Sequence, residues 1–209
     1  MKIALYVGVV IAIIIVWSLY GYFTSRVEQT PYTVTKKTDT YEIRQYPSHL
    51  VAQTTVSGSY KDSLNEGFSI VAGYIFGANI QKQKIAMTSP VVATDEGSEK
   101  IAMTAPVLAT DNQGSTTIAF GMPQSYTEET LPTPTDSRVR VVRVPETTFA
   151  VISSTGYRTD ARLKRMETTL REALVQDGVQ ANGKVSYAGY NAPGTPPWMT
   201  RNEILIELK

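Results

Sequence analysis

The chain has 209 residues, 42% of them hydrophobic and 19% charged, enough apolar content to bury a core and to exclude wholesale disorder. Lys and Arg number 20 against 19 Asp and Glu, so no basic excess marks the chain for nucleic acid. With no Cys and one His, disulfides, zinc–thiolate sites, iron–sulfur clusters, a Cys nucleophile and any site of two histidines are excluded.

The first element is a run of 21 residues without a charge, Ile3 to Phe23. As a helix it spans about 32 Å, which matches a hydrocarbon core of about 30 Å. Trp17, Tyr20 and Tyr22 gather at its end, where an aromatic belt sits. A cleaved signal peptide is the rival, but its apolar region is shorter and Leu19-Tyr20-Gly21 is a poor cleavage site. We therefore expect a single-pass membrane anchor over residues 1–23. Long domains translocate largely regardless of charge, so the domain is expected outside the cytoplasm.

Residues 24–31 read as a polar linker and residues 32–209 as one domain. Tyr32 to Lys36 and Thr40 to Tyr46 alternate apolar and polar residues, as half-buried strands do. Leu50 to Ser57 is a further strand, and Gly58 punctuates it. Leu64, Phe68, Val71 and Ile75 then form one apolar helical stripe, with Gly77 placed to end the helix. The plan recurs 98 residues on: Thr148 to Thr155 is a strand, Gly156 the break, and Leu163, Met166, Leu170 and Leu174 the stripe. Asp160 is the expected cap and Gly178 the stop. Ala52 with Ala150 and Asp62 with Asp160 coincide at the same offset, so we read two copies of a βα-containing unit.

A closer repeat joins Lys84–Asp95 to Lys100–Asp111, identical at ten of twelve positions. Only Glu96 to Glu99 separates them, so the two segments run antiparallel if they pair. Thr116 to Met122, Arg138 to Val144, Val185 to Tyr190 and Asn202 to Leu208 complete the strands. Many antiparallel strands with two helices make an α+β domain.

Few residues invite chemistry. There is no G-x-S-x-G elbow, no H-E-x-x-H and no phosphate loop. His49 follows Pro47-Ser48 and reads as an exposed turn residue. Met87 and Met103, at equivalent repeat positions, read as core. Arg138, Arg140 and Arg143 alternate with valines and suit a solvated strand face. Arg201 and Glu203 flank one Asn before the last strand, either as a polar cluster at a pocket rim or as a structural fastening of the loop.

Taken in order, Tyr41-Glu-Ile-Arg-Gln-Tyr46, the two KIAMT-x-PV segments, Met122-Pro-Gln-Ser-Tyr126, Val144-Pro145, and Tyr187-x-Gly-Tyr-Asn191 through Arg201-Asn-Glu203 resemble the SOUL haem-binding family, from about Tyr32 to Lys209. The resemblance implies a distorted antiparallel β-barrel with two flanking helices, built from a duplicated unit. It implies a non-enzymatic binding protein for haem or a related tetrapyrrole or flat apolar ligand. Leu64, Phe68, Val71 and Ile75 would line the cleft, with Arg44 or Lys61 near the propionates. Some members carry a His between the Arg and Tyr of the first motif; Gln45 stands there, so the expectation is haem without a strong axial His. A small-molecule hydrolase and a ligand-free interaction domain are the rival functions on this scaffold.

Overall fold

The computed structural model describes residues 2–25, 28–58, 60–81, 84–85, 88–89, 91–95, 115–192 and 194–209. The apolar run forms helix α1 (Lys2–Thr24), long and apolar enough to cross a membrane and with none of its apolar window buried. Its last turns are docked. The Trp17 indole N–H donates to the Gly194 carbonyl at 2.7 Å, and Trp17 meets Trp198 edge to face at 5.2 Å. A Cβ on Gly21 would lie 2.7 Å from Pro196 Cδ, so the helix approaches this loop only because residue 21 has no side chain.

The segment read as a linker is also tied down. Glu28–Gln29 forms β1 and pairs in parallel with β5 (Thr88–Ser89). The Glu28 carboxylate accepts the Gln124 N–H at 3.0 Å.

Nine strands make one sheet. They are β2 (Thr33–Lys37), β3 (Glu42–Tyr46), β4 (His49–Ser57), β6 (Val91–Asp95), β7 (Ser115–Gly121), β8 (Arg140–Val144), β9 (Thr147–Ser154), β10 (Ala181–Gly189) and β11 (Asn202–Leu208). Their order is β2-β3-β9-β11-β10-β6-β7-β4-β8, every pair antiparallel. Apart from the edge strand β2, the order reads alike from both ends. β4, helix α2 (Tyr60–Ile75), β6 and β7 in one half repeat as β9, helix α3 (Asp160–Gln176), β10 and β11 in the other, joined where β6 meets β10. Ala52 and Ala150 are both fully buried, and Gly58 and Gly156 both have positive φ, 142° and 108°.

Both helices stop in the same way. Ala78 N–H reaches the Gly73 carbonyl and Val179 N–H the Leu174 carbonyl, each at 2.9 Å. This Schellman closure needs a left-handed residue, supplied by Gly77 and Gly178 with φ of 113° and 66°. At the other end of α3 the cap is Thr159, not Asp160. The Thr159 Oγ1 accepts from the Arg162 N–H at 3.3 Å, while Asp160 is the first helical residue and lends its charge to the positive helix end.

The close repeat is seen in its first copy, which supplies β5 and β6; the second, Lys100–Asp111, lies outside the described residues. β6 pairs with β7 and β10.

Both helices cover one face of the sheet. Val71, Tyr74 and Ile75 of α2 pack on Leu50, Ala52, Ile118 and Phe120. Leu163, Met166, Leu170 and Leu174 of α3 pack on Ala150, Ile204 and Ile206. Because side chains alternate along a strand, the neighbours Val51, Val151 and Leu205 point to the other face, and they are buried too. A third cluster of Tyr46, Val151, Ala188, Tyr190 and Leu205 covers that face. The sheet therefore curls into an antiparallel half-barrel with helices outside and a second apolar layer within.

Candidate functional site

The concave face holds a cleft of about 340 Å³. It is lined by Tyr46 of β3, His49, Val51 and Gln53 of β4, Val92 of β6, Thr117 and Ala119 of β7, and Val144 of β8. Phe149 of β9, Lys184 and Ser186 of β10, Leu205 and Glu207 of β11, and Thr30 before β2 complete the wall. Strands from β3 to β8 contribute, which only a curled sheet allows. The wall is mainly apolar and aromatic in surface, with polar side chains interspersed. Tyr46 is buried, and its hydroxyl is closed off from solvent on the side of Arg44 and Tyr190. Burial is also the main reason its phenol is pushed up from its ordinary value, so it stays protonated.

A buried ionic network lies beside this cleft on the same face. Glu203 is fully buried on β11. Arg44 Nη1 lies 2.9 and 3.0 Å from its two carboxylate oxygens, and Arg201 Nε donates to Oε1 at 2.9 Å. The hydroxyls of Ser153 and Tyr190 each donate to it at 2.7 Å. Glu42 holds the far side of Arg44 at 2.7 Å. The guanidinium groups also stack: Arg44 lies 4.4 Å from the centre of the Tyr32 ring and Arg201 lies 4.0 Å from that of Tyr190. Burial by itself would raise the Glu203 carboxyl. The Ser153 and Tyr190 hydroxyls and the two arginines outweigh it and hold the group below the usual carboxylate range. Tyr190 is driven up by burial and then by the Glu203 charge.

Of the two readings for the Arg201–Glu203 motif, each residue takes one. Glu203 and Arg201 belong to the polar cluster. Asn202 fastens the loop through its Nδ2 to the Gly156 carbonyl at 2.9 Å, and Asn191 does so through its Oδ1, which accepts the Arg201 N–H at 2.6 Å.

The residues marked from sequence do not all come together. Val71 and Ile75 have no exposed surface, and Leu64 and Phe68 are half-buried at the edge of the same packing layer. Phe68 leans on Phe120 at 5.3 Å. All four face the helix side of the sheet, opposite the concave cleft. Arg44 is on the cleft side; the Lys61 side chain lies outside the described residues. His49 is not a turn residue but the first of β4, paired with Val144, and its side chain is in the cleft wall. The signal for the cleft layer was present in strands apolar on both faces, such as Ile204-Leu205-Ile206, which belong to a sheet covered on both sides.

A profile of the SOUL heme-binding protein family matches residues 27–96 and 93–207. The chain belongs to the SOUL family. Among curated relatives, mouse heme-binding protein 2 is 28% identical over 168 residues, covering 79% of this chain and 77% of that protein. Its human counterpart is 30% identical over 155 residues, 73% of this chain and 71% of that protein. In fold the chain is similar to the C-terminal domain of EcmrR, with a TM-score of 0.59 at 9% identity over 85% of this chain and 98% of that one. A hydrolase from Listeria innocua shares the fold too, with a TM-score of 0.55 at 9% identity over 84% and 94% of the two chains. At such identity these two likenesses speak for the SOUL fold alone.

Proposed function

We propose that this SOUL-family chain is a membrane-anchored binding protein for haem or a related flat tetrapyrrole, held in the concave cleft, and that its role is binding rather than catalysis. The observation that carries the reading is the cleft, a mainly aromatic and aliphatic concave surface of the kind that takes small ligands. The lining suits a tetrapyrrole, with Phe149, Val51 and Leu205 for its faces and Lys184 for acidic substituents. The names of the curated relatives support the same ligand class. At about 340 Å³ the cleft is at the small end of ligand sites, which run from about 300 to 1,000 Å³, so the macrocycle would stand partly in solvent.

Titration of the detergent-solubilised full chain with iron-free protoporphyrin tests this. Phe149→Asp should weaken binding at least about tenfold, since it sets a charge against an apolar ligand and tenfold is about 1.4 kcal/mol. Phe68→Asp, on the other face, should change it less than about threefold, provided both variants keep the native thermal transition. The reverse pattern would move the ligand to the helix side, where Leu64 and Phe68 are the half-buried residues that sequence singled out.

The anchor is the second part of the reading. Helix α1 would span the bilayer, with Trp17, Tyr20 and Tyr22 at the interface and the domain on the extracytoplasmic side. Its exposed, uncharged length supports this. The full chain should resist alkaline carbonate extraction from membranes, and a chain starting at Gln29 should not. Recovery of a mature protein already lacking residues 3–23 would identify a cleaved signal instead.

A further inference from the structure

We infer that His49 supplies the axial nitrogen ligand to the iron of a haem seated in the concave cleft. The inference rests on the cleft reading above and goes against the expectation drawn from sequence, in which His49 was an exposed turn residue and haem had no strong axial His. Three observations carry it.

The first is position. His49 opens β4 and alternates in phase with Val51 and Gln53, so all three side chains stand on the cleft side and line it. Backbone pairing with Val144 fixes the strand at that point.

The second is the state of the ring. His49 Nδ1 lies 2.8 Å from the Pro47 carbonyl. A carbonyl oxygen only accepts, so Nδ1 is the donor to Pro47 and Nε2 is the nitrogen left for a metal. A metal-binding imidazole is ordinarily oriented in this way, by giving its other N–H to a backbone carbonyl or carboxylate. The residue is half-buried and lines the cleft.

The third is the absence of a better donor among the described residues lining the cleft. The chain has no Cys and no second His. Tyr46 is the phenol of the wall, but a tyrosine ligates iron as phenolate, and burial holds Tyr46 in its protonated form. Lys184 is an ammonium with no lone pair, so His49 is left as the imidazole base among the described wall residues. One axial imidazole predicts five-coordinate ferrous iron with an iron–histidine bond.

The test uses the full chain in detergent with two probes, haem and iron-free protoporphyrin. The ferrous haem complex should show the iron–histidine stretch by resonance Raman. His49→Ala should abolish that band and weaken haem at least about tenfold, while protoporphyrin affinity changes less than about threefold; added imidazole should restore the axial band. Retained protoporphyrin binding certifies that the variant is folded, and His49→Gln provides a second variant with the same expected outcome. If His49→Ala leaves the haem spectrum and affinity unchanged while Phe149→Asp abolishes binding of both probes, the cleft stands and the ligation falls. If neither probe binds the unaltered chain, the cleft reading falls and the ligation with it.

Discussion

Replacing Glu203 with alanine is expected to destabilise the domain by about 3–5 kcal/mol, the range for removing one partner of a buried ion pair. The large effect comes from what remains. Arg44 has a nearly inaccessible side chain, and only Glu42 would then stand against it. The Ser153 and Tyr190 hydroxyls would lose their acceptor. Glu203→Gln should cost less, because an amide still accepts hydrogen bonds, though without the charge that two arginines need. A double variant, Arg44→Met with Glu203→Leu, should recover part of the loss, since apolar replacement of a buried pair is often neutral while Arg201 still loses its partner. Chemical unfolding of the unaltered chain, Arg44→Met, Glu203→Leu and the double variant decides this; additive losses would mean the two side chains are not coupled.

The same residue sets a pH dependence. The folded Glu203 carboxyl lies below its unfolded value. Its contribution is therefore fully present above the unfolded pKa of about 4.3 and is lost as pH falls through the lower folded value. The unaltered domain should lose stability on acidification below about pH 4, and Glu203→Gln should lose less of it over the same range. Equal acid sensitivity of the two proteins would assign the effect to other carboxylates.

Leu170→Ala is expected to cost about 2–5 kcal/mol, the usual range for truncating a buried leucine. Leu170 is fully buried in the middle of α3, between Met166 and Leu174 and against the sheet. Val175, on the same helix, is 80% exposed, and Val175→Ala should stay within about 0.5 kcal/mol. Comparable losses at the two positions would place the stripe of α3 elsewhere than against β9 and β11.

Much of the architecture is legible before any coordinates. The period of 3.6 in Leu163, Met166, Leu170 and Leu174 sets the buried face of α3, because a helix touching a sheet on one side has one stripe to bury. Gly77 and Gly178 stop their helices because the closing turn needs a positive φ. The uncharged run from Ile3 to Phe23 is a helix on composition alone, and the duplicated βα unit survives in paired residues such as Ala52 and Ala150, both in the helix-facing layer.

The site is another matter, for a physical reason. A strand alternates its side chains between two faces, and in this sheet both faces are buried, one under the helices and one inside the curl. The alternation then says that residues differ in face, not which face meets a helix and which lines the cleft. Val71 and Phe68 thus had the same apolar signature as a ligand wall, and only the packing of α2 on β4 and β7 shows them directed away from the concave cleft. Long-range partners are equally silent in sequence. Arg44 and Glu203 stand 159 residues apart and meet at 2.9 Å because β9 lies between their strands, pairing with β3 on one edge and β11 on the other. His49 sits two residues after a proline and reads as a turn. It becomes part of the cleft wall only because β8 pairs with β4 at that residue and carries the strand one position further than its apolar pattern began. Local periodicity determines which residues are buried and where elements end; the curl of the sheet, a sum of strand twists and pairings across the whole chain, decides which of them share a cavity.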